Sequence, residues 1–441
     1  MPNDLPVVVI GAGPQGLAAA AHLVDRGVPV LVLESGDTAA AAVSQWGHVR
    51  LFSGWSELVD RAAARLLAPT GWVAPSAGYP TGAQWVSEYL APLAAALGDR
   101  VRYGTRVVGV SRRGRDRLVD AGRAGQPFTV HFEKADGTEQ RMDAQAVIDA
   151  SGTWSMPNPA GADGLPALGE RAAADLLDYR IPDYGNRDAY AGKHSVVIGS
   201  GHSAVTAVIA LGRIARRDPS TTITWVLRRG AVGNTFGGGA SDELPERGLL
   251  GIKAKGLVDA GLVDLVSGFR VEKVTRDGDR VVLTAEDGRS LPAADHVAVL
   301  TGFRPDLGFL SELRLELDST LQAPVRIAAE VDPNIHSCGS VAATGAADLA
   351  QPEPDFYLIG AKSYGRAPTF LAMTGYEQVR SVVAKLAGDD AAAARVELAL
   401  PDTGVCGGAG LFDSVEAAAG GSCCAVPAKQ LIQIGSAPSR L

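Results

Sequence analysis

The sequence predicts an α/β fold of three layers with two parallel-sheet domains, one inserted into the other. Two stretches carry this prediction, because each runs from a short apolar strand through a glycine-rich turn into an apolar helix. The first stretch begins at Val7 and the second at Ser195. A length of 441 residues also exceeds what one hydrophobic core usually supports, which favours more than one domain.

The composition is that of an ordinary globular protein. Hydrophobic residues make up 46% of the chain and charged residues 20%, and the net charge is -8. This acidic balance disfavours nucleic acid and anionic membrane as partners. Because polar residues 2–4 lead directly into an apolar strand, and no apolar stretch reaches roughly 18 residues, we expect no signal peptide, no membrane span and a cytoplasmic location.

The first glycine motif has the parts of a dinucleotide site in their expected order. Gly11 permits a tight turn, Gly13 lets the backbone approach a pyrophosphate, and Gly16 lets the helix pack close on the strand. The helix and a second strand lead to Glu34, at the distance expected for an acid that binds a ribose diol. Such glycine patterns also arise by chance, but the full order of strand, glycines, helix, strand and acid favours a nucleotide site.

The second glycine motif occupies residues 199–204, with Ala204 in the third glycine position, an accepted variant. After the following strand, at 222–227, Arg228 and Arg229 stand where the first motif has an acid. An arginine can bind a 2'-phosphate that an acid would repel, so the sequence favours NADPH over NADH. The alternative is that both arginines are solvated loop residues.

Two small-residue turns predict where the chain crosses between the domains. One follows the apolar strand at 146–149, and its counterpart follows the strand at 297–300. The implied plan is a nicotinamide-nucleotide domain inserted into an FAD domain. The predicted boundaries are 1–155 for the first part of the FAD-binding domain, 156–294 for the NADPH-binding domain, 295–388 for the second part of the FAD-binding domain, and 389–441 for a flexible tail.

This pattern resembles the two-dinucleotide-domain flavoproteins, and among them the flavin-containing monooxygenase-like group, over roughly residues 5–388. The resemblance rests on the two glycine motifs, on residues 79–82 before a predicted helix at 84–97, and on the turn at Ser151 and Gly152. A histidine-containing block that precedes the second glycine motif in that group is missing here, and so are the cysteine pairs of the flavin-dependent disulfide reductases.

The resemblance also implies which segments lie beside the flavin. Residues 45–52 resemble a segment that runs along it, and residues 356–360 resemble the strand that brings the chain back to it. A helix predicted at about 369–386 would then point its N-terminus at the flavin, where the helix dipole stabilises negative charge.

These motifs and the resemblance together predict the cofactor-binding residues, whereas no residue is assigned a catalytic role. The FAD residues are Gly11, Gly13, Pro14, Gln15, Gly16, Glu34, Ser35, Gln45, Trp46, His48, Val49, Val107, Ser151, Gly152 and Gly360. The NADPH residues are Gly199, Ser200, Gly201, His202, Ser203, Arg228 and Arg229. Lys362 and Tyr364 follow the returning strand and are further residues that could face the flavin.

The C-terminal tail carries three of the four cysteines, Cys406, Cys423 and Cys424. Cys338 could lie near the flavin, but a buried structural role is favoured for it. Adjacent cysteines rarely form an unstrained disulfide with each other, and thiolates on a flexible segment suit soft ions such as As(III), Sb(III) or Hg(II). The vicinal pair resembles the C-terminal cysteine pair of mercuric reductases, and the whole chain resembles flavoproteins of arsenic-resistance gene clusters. The alternative is a tail with incidental cysteines.

Three functional hypotheses follow. The first is an FAD-dependent, NADPH-consuming monooxygenase or oxidase that uses molecular oxygen on a soft nucleophile, either trivalent arsenic or antimony or an organic sulfide or amine. Its alternative form is an N- or S-hydroxylating or Baeyer-Villiger-type monooxygenase of an organic substrate such as a ketone. The second is a reductase of disulfides or metal ions that uses the tail cysteines as a redox relay. The third is a flavoprotein that sequesters thiophilic ions and turns over slowly. The expected partners are a small-molecule or metalloid substrate, oxygen and a second copy of the chain in a homodimer.

Overall fold

The computed structural model describes residues 5–230, 232, 235–237, 239, 245–333, 343–368 and 370–398. Within these residues the strands are β1 (Val7–Ile10), β2 (Val30–Leu33), β3 (Val101–Arg102), β4 (Thr105–Arg112), β5 (Phe128–Lys134), β6 (Glu139–Ala144), β7 (Ala146–Asp149), β8 (Leu177–Asp178), β9 (His194–Ile198), β10 (Thr222–Val226), β11 (Asp264–Val266), β12 (Val271–Asp277), β13 (Arg280–Ala285), β14 (His296–Val299) and β15 (Phe356–Leu358).

The α-helices of the same residues are α1 (Pro14–Asp25), α2 (Ala41–Ser44), α3 (Trp55–Leu58), α4 (Arg61–Leu67), α5 (Gly82–Trp85), α6 (Ala91–Leu97), α7 (His202–Ala215), α8 (Pro245–Asp259), α9 (Val325–Val331), α10 (Ala346–Leu349), α11 (Ala372–Leu386) and α12 (Asp390–Ala394). These helices are too short or too polar to cross a membrane.

The first parallel sheet has the strand order β15-β7-β1-β2-β3 and draws strands from both ends of the described chain. Strand β1 pairs with β2 on one side and with β7 on the other, both in parallel. The strand order therefore reverses at β1. In open α/β sheets, ligands bind in the crevice at the carboxyl ends of the strands where this reversal occurs.

Three layers enclose the core of this first domain. Helices α1, α4, α6 and α11 pack over one face of the parallel sheet. The antiparallel sheet β4-β5-β6 packs over the other face, where Val8 and Leu31 meet Val110 and Phe132. Small alanine side chains at positions 18–21 are fully buried, which lets α1 lie close to both the sheet and the neighbouring helices.

The second parallel sheet repeats this plan with the order β11-β10-β9-β14-β8. Strand β9 is the central strand, flanked in parallel by β10 and β14. Helices α7 and α8 pack on one face, and the hairpin β12-β13 packs on the other. The predicted α/β fold class is confirmed, whereas the four domain boundaries remain a prediction.

Two helix predictions need correction. The helix expected at 84–97 begins at Gly82, because Thr81 and Gln84 form a reciprocal capping box, and a π-helical turn at Val86–Leu90 interrupts it. Pro92 follows this turn and lacks the N–H group that a regular α-helix would use there. The helix expected from 369 begins at Ala372, because Leu371 before it is extended, with a ψ of 142°.

Candidate active site

The turn after β1 has the shape that a pyrophosphate requires. Gly11 has a φ of +97°, a conformation that favours glycine, and a Cβ on Gly16 would lie 1.9 Å from the carbonyl oxygen of Gly11. A Cβ on Gly13 would meet open space. Helix α1 begins at Pro14 without a side-chain cap, so no side chain satisfies the N–H groups of its first turn. Residues 11–16, which form this turn and the start of α1, are called the first glycine cradle, and this cradle fits the pyrophosphate of FAD.

Glu34 is buried at the end of β2 and holds the glycine-rich turn in place. One carboxylate oxygen accepts a hydrogen bond from the Ala12 N–H at 2.6 Å, and the other accepts one from the Gly36 N–H at 2.8 Å. The exposed Ser35 hydroxyl lies 3.4 Å from the same carboxylate. Because a carboxylate has about four acceptor positions, Glu34 retains capacity for a ribose diol while it braces the turn.

Gln15 connects the glycine-rich turn to the start of α11. Its side chain is buried, and its amide nitrogen donates to the carbonyl oxygen of Ala372 at 3.1 Å. A Cβ on Gly360 or Gly375 would lie within 3 Å of this side chain, so two distant glycines make room for it. The side-chain carbonyl oxygen of Gln15, Oε1, is buried and has no hydrogen-bond partner among the described residues. An acceptor of this kind fits a donor supplied by a bound cofactor or water.

The turn after β7 packs against the same cradle. A Cβ on Gly11 would lie 3.0 Å from the Cα of Ser151, and a Cβ on Gly152 would meet open space. Behind the turn, Lys362 forms an ion pair with Asp149 at 2.6 Å, and both side chains are fully buried. The prediction that Lys362 follows the returning strand is correct, but its ammonium group lies beneath the turn rather than at its surface.

The second glycine-rich turn, after β9, repeats the geometry of the first. Gly199 has a φ of +127°, and a Cβ there would lie 2.2 Å from the carbonyl oxygen of Leu300 in the neighbouring crossing turn. The Trp225 indole donates to the carbonyl oxygen of Gly199 at 2.7 Å. A Cβ on Gly201 meets open space, and helix α7 begins at His202 without a side-chain cap. Ser200 and Ser203 are exposed on either side of Gly201. Residues 199–203 are called the second glycine cradle.

Arg228 and Arg229 follow β10 at the edge of this second cradle. Arg228 donates to the carbonyl oxygen of Ala162 at 2.9 Å. Burial lowers the pKa of Arg228, and the adjacent positive charge of Arg229 lowers it further. Burial also lowers the pKa of Arg229. Arg228 is exposed and Arg229 is half-buried, so a phosphate could reach both guanidinium groups, and the predicted role of these arginines in binding a 2'-phosphate stays a prediction.

Residues 45–52 connect the two nucleotide sites. Trp46 packs against the cores of both parallel-sheet domains, and Val49 packs against the core of the second. The Phe52 ring lies 5.0 Å from the ring of His202, the first residue of α7. The structure therefore brings this segment together with the opening of the second glycine cradle. Its position beside a flavin stays a prediction.

Sequence reasoning missed an aromatic cluster at the crossing between the domains. The Trp154 indole donates to the side-chain oxygen of Gln45 at 2.8 Å and stacks on Phe303, with 4.8 Å between the ring centroids. The Arg180 guanidinium lies 5.3 Å from the Trp154 ring centroid. Trp154 and Phe303 each come shortly after one of the two crossing turns, and this symmetric placement was the only sequence signal for their contact.

The other predicted residues lie away from the two glycine cradles or outside the residues that the structure describes. The Val107 side chain is buried in the core between the parallel and antiparallel sheets, and His48 is exposed. Tyr364 is buried, and its hydroxyl has no hydrogen-bond partner among the described residues. All four cysteines, including the predicted soft-ion ligands Cys406, Cys423 and Cys424, lie outside the described residues. Within those residues no cluster of histidine, cysteine and acidic side chains could hold a metal ion.

Comparisons with known proteins agree with this two-site geometry. A family model described as pyridine nucleotide-disulphide oxidoreductase matches residues 8–330. The chain is 32% identical over 214 residues to the indole-3-pyruvate monooxygenase YUCCA1 of Oryza sativa subsp. japonica, a match that covers 47% of this chain and 45% of the rice protein. It is 25% identical over 363 residues to a ferredoxin–NADP reductase of Saccharopolyspora erythraea, covering 78% of this chain and 86% of that protein.

Among solved structures, the bacillithiol disulfide reductase Bdr (YpdA) of Bacillus cereus is similar, with a TM-score of 0.64 and 20% identity. The similarity covers 87% of this chain and 99% of the Bacillus chain. At this identity the match shows a shared fold. The family match extends over more than half of the sequence and includes both glycine-rich cradles. The chain therefore belongs to the pyridine nucleotide-disulphide oxidoreductase family, and it is an oxidoreductase enzyme that uses FAD and NAD(P)H.

Proposed function

We propose that this protein is an NADPH-dependent flavin monooxygenase or oxidase that acts on a small, soft nucleophile. The observation that carries the proposal is the position of the cysteines. Both glycine-rich cradles lie within the first 337 residues, and this part of the chain contains no cysteine. A dithiol relay within the two sheets is therefore excluded, which favours oxygen as the acceptor of electrons that have reached the flavin.

Residues of the first cradle would bind FAD and hold it in place. When bound, FAD supplies hydride acceptance from NADPH and reaction with oxygen. The N-terminus of α1 would bind the pyrophosphate, and Glu34 would accept hydrogen bonds from the ribose. Gln15 would offer its unpaired carbonyl oxygen, and it ties the cradle to the N-terminus of α11.

Residues of the second cradle would select and orient NADPH. The open space at Gly201 and the uncapped start of α7 suit the second pyrophosphate. Arg228 and Arg229 would bind the 2'-phosphate, which NADH lacks. The Phe52 ring, which contacts His202 at the start of α7, would then lie near the bound nucleotide.

The substrate class we propose is trivalent arsenic or antimony. Its support is the resemblance to flavoproteins of arsenic-resistance gene clusters and the tail cysteines Cys406, Cys423 and Cys424. Thiolates bind such soft centres, and oxidation to the pentavalent oxyanion makes the product less thiophilic. The tail would deliver the metalloid to the active site of its own subunit or of a partner in a homodimer.

The test is NADPH oxidation by the purified protein with arsenite, methylarsenite or antimonite, in air and under nitrogen. Metalloid-stimulated consumption that requires oxygen and yields the pentavalent product is the expected result. Cys423→Ser/Cys424→Ser should lower this rate at limiting metalloid, and Cys338→Ser serves as the matched control. If none of the metalloids changes the rate of NADPH oxidation, this substrate class is excluded. If the double variant oxidises NADPH as fast as wild type at limiting metalloid, delivery by the tail is excluded.

A second candidate is a monooxygenase of an organic substrate. The similarity to the rice relative, an indole-3-pyruvate monooxygenase, favours this candidate. It predicts NADPH consumption stimulated by an organic acid, amine, sulfide or ketone in the same assay, with no effect of the tail substitutions. The disulfide or metal-ion reductase alternative instead predicts that dithiol acceptors reoxidise the reduced flavin under nitrogen.

A further inference from the structure

A buried ion pair lies directly beneath the turn after β7. Lys362 and Asp149 have no exposed side-chain surface, and 2.6 Å separates the Lys362 ammonium from the Asp149 carboxylate. The two residues are far apart in sequence, and they join the end of β7 to the segment that follows β15. A buried pair needs further hydrogen bonds to offset the loss of hydration, so the remaining contacts of both groups matter.

The Lys362 ammonium makes two hydrogen bonds and one contact with an aromatic ring. An ammonium group has three N–H donors. One meets Asp149, one meets the Ser151 hydroxyl oxygen at 3.1 Å, and the nitrogen also lies 4.3 Å from the ring centroid of Phe309. The second oxygen of Asp149 accepts the N–H of Ser151 at 3.0 Å and the O–H of Ser151 at 2.6 Å.

These contacts fix the polarity of the Ser151 hydroxyl. Its proton is directed to Asp149, and one of its lone pairs receives the proton of Lys362. The other lone pair is left, and Ser151 is an exposed residue of the turn that packs against Gly11. The hydroxyl can therefore act toward the first cradle only as a hydrogen-bond acceptor. Without the ion pair it would rotate and offer either its proton or its lone pairs.

We propose that Lys362 and Asp149 are positioning residues that hold the Ser151 hydroxyl as an acceptor for a hydroxyl group of the bound FAD. Such an acceptor binds the ribityl or ribose hydroxyls of the cofactor, and hydrogen bonds in a connected chain strengthen one another. The proposal rests on FAD lying in the first glycine cradle, and it does not depend on the identity of the substrate.

The test compares FAD dissociation constants of the apoprotein variants, measured by flavin fluorescence, with the melting temperature of each apoprotein. Ser151→Ala should weaken FAD binding about fivefold, because it removes the acceptor. It also removes one hydrogen-bond partner from each of the buried charges of Asp149 and Lys362, so the apoprotein melting temperature should fall slightly, and FAD affinity is measured well below it. Asp149→Asn/Lys362→Met removes both charges at similar volume, so neither charge is left buried and unpaired. It should weaken FAD binding to a similar extent.

The decisive readout is the combination of these substitutions. If the ion pair acts through the hydroxyl, Asp149→Asn/Lys362→Met should have no further effect on FAD affinity once Ser151→Ala is present. Ser220→Ala is the matched control, because Ser220 donates its N–H and O–H to Asp218 in the same local arrangement but lies before β10, outside the first cradle. FAD affinity equal to wild type in Ser151→Ala, or equal losses from the ion-pair substitutions in both backgrounds, would overturn the proposal.

Discussion

Glu34 has two roles at the end of β2, and only one of them was predictable. Its spacing from the first glycine motif indicated a ribose-binding acid. The structure adds that the same carboxylate accepts the N–H groups of Ala12 and Gly36 and so shapes the turn. Sequence spacing could not show this bracing, because it depends on how closely β1 and β2 lie together.

Glu34→Gln should weaken FAD binding about tenfold, because hydrogen bonds to a charged acceptor contribute about 1.5–3 kcal/mol and glutamine presents an N–H₂ group to one of the two backbone donors. FAD titration of the apoprotein measures this loss. Glu57→Gln is the control, because Glu57 also accepts a backbone N–H, that of Gly54, but outside the cradle. Equal effects of the two substitutions on FAD affinity would contradict a role in the cradle.

Arg228→Ala/Arg229→Ala should reduce the preference for NADPH over NADH. We expect the KM for NADPH to rise about tenfold or more and the KM for NADH to change little, because only NADPH carries the 2'-phosphate. Steady-state kinetics with each nucleotide provide the measurement, and Arg216→Ala on the exposed end of α7 is the control. A parallel rise of both KM values would show that these arginines do not recognise the phosphate.

At the scale of elements, both strand–turn–helix units were predictable because their signals are local. The apolar runs and glycines define β1, α1 and β9 within a residue or two. The contacts of Gln15 with Gly360 and Gly375, and of Lys362 with Asp149, were not predictable, since they join residues more than 200 positions apart. The π-helical turn before α6 was missed because only the hydrogen-bond pattern reveals it.

Alanine substitutions of two glycines in the first cradle should differ in their effect on stability, although both should impair FAD binding. Gly16→Ala places a Cβ 1.9 Å from the Gly11 carbonyl oxygen, so we expect a lower melting temperature of the apoprotein together with lost FAD binding. Gly13→Ala meets open space at a φ of -76°, so the apoprotein should melt as wild type does, although the added methyl group obstructs the pyrophosphate. Thermal melts and FAD titrations distinguish the two. A stable, FAD-binding Gly16→Ala variant would contradict the close helix packing.

At the scale of the whole molecule, Glu353 links distant parts of the first domain. Its buried carboxylate accepts hydrogen bonds from Arg112 in β4 and from Arg123, each at 2.7 Å, and from the Arg314 N–H at 3.2 Å. Burial by itself raises the pKa of Glu353, but the hydrogen bonds and the charge of Arg112 outweigh it, so the pKa lies below its usual value.

A lowered pKa in the folded state makes this stabilisation dependent on pH. It is fully present above the unfolded pKa, near 4.5, and is lost as the pH falls through the lower folded value. Glu353→Gln leaves two buried guanidinium groups without a carboxylate, so it should cost about 3 kcal/mol at neutral pH. The difference in urea-unfolding free energy from wild type should narrow below about pH 4. A difference independent of pH would contradict a charged Glu353.

The central claim is that electrons pass from NADPH to FAD and then to oxygen. The most direct test reduces the holoenzyme with NADPH under nitrogen and follows the flavin absorbance as either air-saturated buffer or a disulfide acceptor is mixed in. We predict that NADPH bleaches the flavin, that oxygen restores its absorbance and that the disulfide does not. Restoration by the disulfide under nitrogen, or reduced flavin that oxygen fails to reoxidise, would contradict the proposed function.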